Sequence, residues 1–477
     1  MRSQTKLLLY AVIATVLIAS TGDAGAQSFS AHPPLPNAPS SHFTLLLSAQ
    51  PAQNATSASP SQAGAGIDAR LRLTRTQAEQ MAIKNNPRIS VARLLALAQH
   101  QVVREAKAAQ LPTSTVNVTA VEAENASRIS AGFLNSPSVF EHAGAGAAFS
   151  QLITDFGRTS NLVALSKLQE KAQNATAQAT VDDIVIATDQ AFYSALQARA
   201  LYQVAMQNVT TRQTTQSQVN ELTRNKLKST LDLSFADVNL SQAKLLLLDA
   251  QNNVEASMAA LDAVLGLDRE VSYELVDDAP NAQTPPEDVN QLVQLGLQQR
   301  PDLRALEFDR QAAVKFNHAQ RDQMLPSITA AGTVGSVPVR PDQGYVTNWW
   351  GAVGVNMSIP VFNGFLYPAQ AKEAAIRAQA AAERSRDLRD QIVRDIRTSW
   401  LATNTAYQRM SVAQQLLQQA NLSLQLAQTR YQMGLSSIVE LSQAQYQQTD
   451  AAIGSTNAEY QYRLALATLN YQTGATP

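Results

Sequence analysis

The sequence predicts a mainly α-helical protein with a small β-strand part, and two long segments without helix-breaking residues are the first indication. The run from Ala369 to Met433 contains neither Gly nor Pro, and the same holds for the run from Arg158 to Leu265. A continuous helix over the first run would be about 100 Å long, because an α-helix rises about 1.5 Å per residue. Helices this long exceed the needs of a compact domain, so they require partners of similar length.

The run that begins at Ala369 also has the periodicity of a packed helix. Apolar, aromatic and small residues recur there at alternating intervals of three and four, which is typical of helices that pack along one another. The seam positions are Val393, Ile396, Trp400, Thr403, Tyr407 and Met410. We therefore expect lateral packing of long helices.

An internal duplication is the third indication. Four proline residues end helical segments at matching places: Pro87, Pro112, Pro301 and Pro326. The offsets agree, since 301 − 87 and 326 − 112 both equal 214. The sequence therefore predicts two repeats, at residues 71–285 and 286–477, each with the order helix, short β segment, long helix, turn, helix.

The β segments alternate apolar residues with small or polar residues. The pattern is clear at 115–120, 327–334 and 353–359, whereas 145–153 fits less well because Phe149 falls on the wrong face. Two unlike faces suit a strand between two different solvents. A soluble sheet packed on the helices is the alternative, but its edges would stay open, since nothing else in the chain reads as a strand.

Closure into a membrane barrel would remove those edges. A membrane barrel needs at least about eight strands, so several copies of the chain would have to share one. Three aromatic residues lie at or just before the start of the last predicted strand, where an interfacial aromatic girdle would contact outer-membrane lipid. They are Tyr345, Trp349 and Trp350.

The N-terminal residues have the order of a secretory signal peptide. Arg2 and Lys6 precede an apolar run from Leu7 to Ala19, and small residues follow at 24–26. We expect a signal peptide at residues 1–26; a membrane anchor is the alternative, but the apolar run is shorter than the ~20 residues of a spanning helix. Residues 27–70 are rich in Pro, Ser and Ala and predict a flexible leader.

Composition argues against several classes of function. A formal net charge of -1 and 16% charged residues do not suit a nucleic-acid binder. The chain has no cysteine, and its five histidines are scattered without metal-ligand spacing. No phosphate-binding loop or nucleophile motif is present. We therefore expect no enzyme activity, no cofactor, no metal site and no nucleic-acid partner.

The layout resembles that of the TolC-like outer-membrane efflux proteins. The duplicated order of segments, the Leu-Pro entries at Pro112 and Pro326, and the turn sequence from Arg430 to Leu441 carry the resemblance, which covers 71–474. It implies a homotrimer with a periplasmic α-helical tunnel and a shared twelve-stranded barrel in the cell outer membrane. It also implies an exit duct for a tripartite efflux or type I secretion system, with a periplasmic adaptor and an inner-membrane pump as partners.

The resemblance assigns the helix turns to adaptor docking. Gly434, Leu435 and Ser437 match the docking turn, and Lys226 stands in the place of Gly434 in the first repeat. This difference leaves open whether both turns present the same surface. Ordinary turn chemistry is the alternative explanation for the glycine, because a tight helix-to-helix turn commonly needs one residue at positive φ.

The resemblance also implies a periplasmic gate next to these turns. Tyr431 and Asp232 match a tyrosine–aspartate latch, Glu440 matches an acidic ring, and the second acidic ring falls on Gln443. The reinforcing arginine falls on Ser436. The alternative is that Asp232 and Glu440 stabilise the first turns of their helices, where a carboxylate favours the helix dipole.

A periplasmic coiled-coil adaptor remains the alternative function. Such a protein shares the long helices but should carry one helical hairpin flanked by soluble β domains. The sequence predicts two hairpins and four barrel-like strands, so the exit duct is the leading interpretation.

Overall fold

The computed structural model describes residues 71–122, 142–267, 273–277, 284–336 and 349–475. The predicted signal peptide at 1–26 and the leader at 27–70 lie outside these ranges, as does Tyr345. The structure begins with the first repeat.

The first repeat contains two short helices, two strands and a pair of long helices, with a short strand at each end. In chain order these are β1 (Leu71–Leu73), α1 (Arg75–Asn85), α2 (Pro87–Ala108), β2 (Thr113–Val121), β3 (His142–Thr154), α3 (Arg158–Arg224), α4 (Thr230–Leu265) and β4 (Tyr273–Leu275).

The second repeat has the same order of helices and strands. Its elements are α5 (Val289–Gln299), α6 (Pro301–Asp322), β5 (Ser327–Ser336), β6 (Trp350–Ser358), α7 (Leu366–Gln432) and α8 (Ile438–Gln472). The helices of the first repeat have 11, 22, 67 and 36 residues, and those of the second have 11, 22, 67 and 35. The predicted order of helix, strands, long helix, turn and helix is confirmed.

Proline fixes the breaks between the short helices. Pro87 and Pro301 each occupy the first helical position, where the missing N–H would have had no partner in the helix. Asn86 accepts a hydrogen bond from the Arg88 amide and so caps α2. These local rules explain why both repeats break at the same place.

The long helices pack as two antiparallel pairs. Hairpin 1 consists of α3 and α4, hairpin 2 consists of α7 and α8, and α6 packs against both α3 and α7. The predicted seam is confirmed: Ile396, Thr403 and Met410 are buried, and the half-buried Tyr407 packs its ring on Tyr462 of α8 at 5.3 Å between centroids. Among the described helices, none combines the length and apolar composition needed to cross a membrane.

Four strands form one antiparallel sheet in the order β2-β3-β5-β6. Residues paired across neighbouring strands point to the same face. Phe149 pairs with Ser114 and Gly332, and Gly332 pairs with Val353. Phe149 therefore lies on the face that carries the exposed Val116 and Val353, and the expectation that it falls on the wrong face is wrong. Beyond Leu152 a register shift changes the alternation, which the sequence pattern did not reveal.

Trp350 lies on the opposite face of this sheet. It pairs with Gly335, which pairs with Gly146, which pairs with Asn117. This row belongs to the small and polar face, so Trp350 does not fit the predicted lipid-facing girdle.

A second, parallel sheet was missed by the sequence analysis. β1 pairs with β4, and Leu73, Tyr273 and Leu275 join a buried cluster with Phe192 of α3. Each strand has three residues, which is too short to show an alternating pattern. The pair ties the two ends of the first repeat together.

A buried charged cluster joins α1 to α3. Arg75 Nη1 donates to Asp189 Oδ2 at 3.2 Å, and Glu79 hydrogen-bonds the same carboxyl group. A hydrogen bond between two carboxyl groups requires a shared proton. Burial raises the pKa of Asp189, and Arg75 offsets part of that effect. The position that corresponds to Glu79 in the second repeat is Val293, which is buried in an apolar cluster.

The cluster predicts a pH dependence of stability. Because the pKa of Asp189 is raised in the folded protein, its contribution is fully present below about pH 4 and is lost as pH rises through the folded pKa. Relative to wild type, Asp189→Asn should flatten the change in unfolding temperature between about pH 4 and pH 7. Circular dichroism of the detergent-solubilised protein measures this; parallel pH profiles for the two proteins would contradict it.

Candidate functional site: the helix turns and the core behind them

The two long-helix turns have the same backbone conformation. In the first, the Leu227 amide donates to the Leu222 carbonyl at 2.8 Å, and in the second the Leu435 amide donates to the Arg430 carbonyl at 2.8 Å. In each turn a further amide bond, from Lys226 or Gly434, closes the last helical turn. This pair of bonds is the Schellman motif, which satisfies the free carbonyls of a helix C-terminus.

Lys226 adopts the backbone conformation that the glycine adopts in the second turn. Its φ is 59°, and that of Gly434 is 75°. The left-handed conformation costs a residue with a side chain about 1–2 kcal/mol. The two turns therefore share one backbone conformation despite the change from glycine to lysine. The equivalent leucines, Leu227 and Leu435, are 69% and 67% exposed.

Serine caps the helix that follows each turn. Ser229 Oγ accepts from the Asp232 amide, and Asp232 Oδ2 accepts from the Ser229 amide at 3.1 Å, which completes a capping box. Ser437 Oγ accepts from the Glu440 amide at 3.3 Å. Both acids lie in the first turn of their helices. Asp232 thus has a structural role as part of a helix cap, and this role does not depend on a gate.

A small apolar core lies directly behind the turns, and all four long helices contribute to it. Tyr431 is 6% exposed at its centre. The other residues of this tip core are Val219, Ala236, Ala427, Ile438, Leu441 and Ala444, with Leu233 and Leu424 packed against them. The tip core joins hairpin 1 to hairpin 2 close to the turns.

The tyrosine and the aspartate of the predicted latch lie near each other without a hydrogen bond. The Tyr431 hydroxyl is buried and has no hydrogen-bond partner among the described residues. Burial raises the pKa of Tyr431, and the nearby Asp232 charge raises it further. In this single chain, Asp232 serves the cap of α4 and leaves the hydroxyl without a partner.

Glu440 has a partner that the sequence analysis missed. Arg430 Nε lies 3.5 Å from Glu440 Oε1, across the turn between α7 and α8. The signal was available, because the last turn of one helix and the first turn of the next are adjacent in a tight helical hairpin. Gln443 is exposed one helical turn further along. The carboxylate that matches the acidic ring therefore has an arginine of its own chain beside it.

Lys228 is a second residue that the sequence analysis missed. Its Nζ lies 4.5 Å from the centroid of the Tyr431 ring. The corresponding position of the second turn is Ser436. No sequence pattern marks a lysine in one hairpin as the partner of a tyrosine in the other.

The opposite ends of the long helices expose aromatic residues. Phe156 and Phe365 have φ values of 53° and 64°, at the entries into α3 and α7. Both rings are exposed, as is Phe362, which packs edge-on against Phe365 at 5.6 Å between centroids. Left-handed backbone is costly for phenylalanine, and a glycine lies beside each of them. The sequence analysis did not identify these exposed phenylalanines.

Within the described ranges, no group of three or more His, Cys, Asp or Glu side chains is arranged to hold a metal ion. Side-chain hydrogen bonds join the two hairpins. Arg212 Nη1 donates to Gln445 Oε1 at 2.6 Å, and Asn239 Nδ2 donates to Ser442 Oγ at 2.9 Å.

Comparison with solved structures defines the class of this fold. The CmeC outer membrane channel of Campylobacter jejuni has a TM-score of 0.75 with 18% identity, covering 84% of this chain and 85% of that one. The fold is therefore that of outer-membrane channels.

The sequence relatives point the same way. TolC of Vibrio cholerae serotype O1 is 24% identical over 406 residues, which is 82% of this chain and 89% of that protein. TolC of Salmonella enteritidis is 28% identical over 127 residues, so that match spans 26% of the relative. The profile of the outer membrane efflux protein family matches residues 78–267 and 292–475. The chain belongs to the outer membrane efflux protein family.

The equivalent turn positions predict opposite effects of substitution. A Cβ at Gly434 meets nothing within 4 Å, so Gly434→Ala is opposed by the positive φ alone. It should lower the free energy of unfolding by about 1 kcal/mol, whereas Lys226→Gly should raise it by up to about 1 kcal/mol. Thermal unfolding monitored by circular dichroism measures both; changes of the same sign would contradict the shared backbone conformation.

Proposed function

We propose that the protein is the outer-membrane exit duct of a tripartite efflux or type I secretion system. It conducts substrates passively from the periplasm to the outside, and it is not an enzyme. The observation that carries this function is the four-stranded sheet, which has open edges and an exposed apolar face. Long helical hairpins continue from the same strands.

The sheet supports a barrel shared between copies. β2 and β6 are its two edge strands, and unpaired edges are a liability that closure removes. The face with Val116, Val118, Val353 and Val355 is exposed in the single chain and suits lipid. Three copies would give twelve strands, within the range of known membrane barrels. We therefore infer a homotrimer.

The helices support the same assembly. Exposed apolar residues lie along α2 and α7, and lateral packing between protomers would cover them. They include Val91, Leu94, Leu95, Leu97, Leu401, Val412 and Leu416. Twelve long helices from three protomers would form the periplasmic tunnel.

Two groups of aromatic residues suit the two edges of the membrane. Trp349 precedes β6 and is exposed, so it remains a candidate for the outer girdle. Phe156, Phe362 and Phe365 lie at the helix ends of the strands and suit the inner interface. The strain of two phenylalanines at positive φ is understandable if their rings contact lipid.

The turns suit docking of a periplasmic adaptor. Lys226, Gly434, Leu435 and Ser437 lie at the ends of the hairpins farthest from the sheet, and Leu227 adds a second exposed leucine. The matching backbone of the two turns would let one kind of adaptor surface engage both. The energy for transport would come from the inner-membrane pump.

The gate would lie just inside these turns, at Asp232, Tyr431, Glu440 and Gln443. The Arg430–Glu440 pair changes the expected electrostatics of the proposed trimer. Three Glu440 carboxylates that each have an arginine beside them repel one another less than three carboxylates without one. The coiled-coil adaptor function has less support, since the described residues contain two hairpins of one layout and a sheet with unlike faces. We also propose the repeat boundaries 71–285 and 286–477, after a signal peptide at 1–26 and a leader at 27–70.

The assembly can be tested directly. The purified protein should require detergent, run as a trimer by light scattering, and form pores in planar lipid bilayers. Its pores should be of low conductance when no adaptor is present. A detergent-free, soluble monomer without pore activity would overturn the exit duct.

The ion pair at the gate can be tested by conductance. Arg430→Gln removes the counter-ion and leaves Glu440 exposed to cations in the lumen, so block by divalent cations should strengthen several-fold. Arg430→Gln with Glu440→Gln should lose the added block. An Arg430→Gln channel with wild-type block would remove the pair from the gate.

A further inference from the structure

Lys228 makes a contact between the two hairpins at their turns. It lies in the turn of hairpin 1, whereas Tyr431 lies in the last turn of α7 in hairpin 2. The Nζ atom is 4.5 Å from the ring centroid, well inside the range of a cation–π interaction. The contact joins residues 203 positions apart in the chain (431 − 228).

The ring of Tyr431 packs in the tip core, where Val219 of α3 and Leu441 of α8 share the same cluster. Only 6% of the residue is exposed, and the Lys228 ammonium lies over one face of the ring. The ammonium group does not need the tyrosine hydroxyl, which has no hydrogen-bond partner among the described residues.

The second repeat contains no equivalent contact. The residue that matches Lys228 is Ser436, and the residue that matches Tyr431 is Thr223. Each protomer thus has one such contact, always from the first turn to the second hairpin. The surrounding charges are already used, since Asp232 caps α4 and Arg430 pairs with Glu440.

We propose that Lys228 is a positioning residue of the closed state, which holds hairpin 2 against hairpin 1 by covering the face of the Tyr431 ring. This inference rests on the proposed exit duct. An opening that separates the two hairpin turns requires the lysine to leave the ring. A partly desolvated cation–π contact changes such an equilibrium by roughly 2-fold to 30-fold per protomer.

The test compares open probability in planar bilayers for variants at both partners. Lys228→Met keeps the apolar stem and removes the charge, so the open probability should rise at least several-fold. Lys228→Arg should keep the open probability near that of wild type, because a guanidinium also stacks on aromatic rings. Lys244→Met, an exposed lysine of α4 away from the turns, is the control and should behave as wild type.

The two kinds of latch give different results at Tyr431. If the ring face carries the contact, Tyr431→Phe should raise the open probability less than Lys228→Met does. Tyr431→Leu, which removes the ring, should raise it as much as Lys228→Met does. If the hydroxyl carries the contact through Asp232, Tyr431→Phe should open the duct and Lys228→Met should not; that result would overturn the proposal.

Failure of the proposal is distinguishable from failure of the exit duct. Wild-type protein that forms no trimeric pores overturns the proposed function itself. Wild-type pores that match Lys228→Met pores in open probability overturn only the role of Lys228. Each variant is first required to show the wild-type trimer and helical circular dichroism, so a folding defect is recognised before conductance is compared.

Discussion

The long helices bury only part of their apolar surface within one chain, and the rest of the structure depends on how the remaining part is covered. A 67-residue helix is about 100 Å long and cannot bury its seam within a compact core. Within one chain, α8 covers part of α7 and α4 covers part of α3. Apolar positions such as Leu401 and Val412 stay exposed. In the proposed trimer, a cylinder of several protomers would cover them.

The same constraint explains why the helix turns are so well defined. A hairpin of two long helices transmits any error in its turn along its whole length. Both turns therefore use the full set of C-terminal and N-terminal caps, with Schellman bonds before the turn and a capping serine after it. Lys226 adopts a strained conformation rather than break this geometry. The exposed leucines at Leu227 and Leu435 are a consequence of the shared backbone.

The sheet meets a different constraint, because its two faces meet different surroundings. The register places Phe149 with the valines on one face and Trp350 with Asn117 on the other. An apolar outer face and a small, polar inner face are the pattern of a barrel in lipid. Exposed phenylalanines lie at the helix ends that follow these strands. Sheet and helices thus fit the proposed assembly, in which lipid would surround the strands and water the turns.

The sequence by itself determined the helices, their breaks and the duplication, because Gly, Pro and periodicity act within a few residues of the chain. It also located both turns and four of the strands. Tertiary structure decided the face of Phe149, because most residues of β3 are small or polar and only pairing with the neighbouring strands places Phe149 beside the valines. It likewise decided that Arg430 lies beside Glu440 and that Lys228 covers the ring of Tyr431. The second of these contacts joins separate hairpins, and only the packing of four helices around one ring brings such distant residues together.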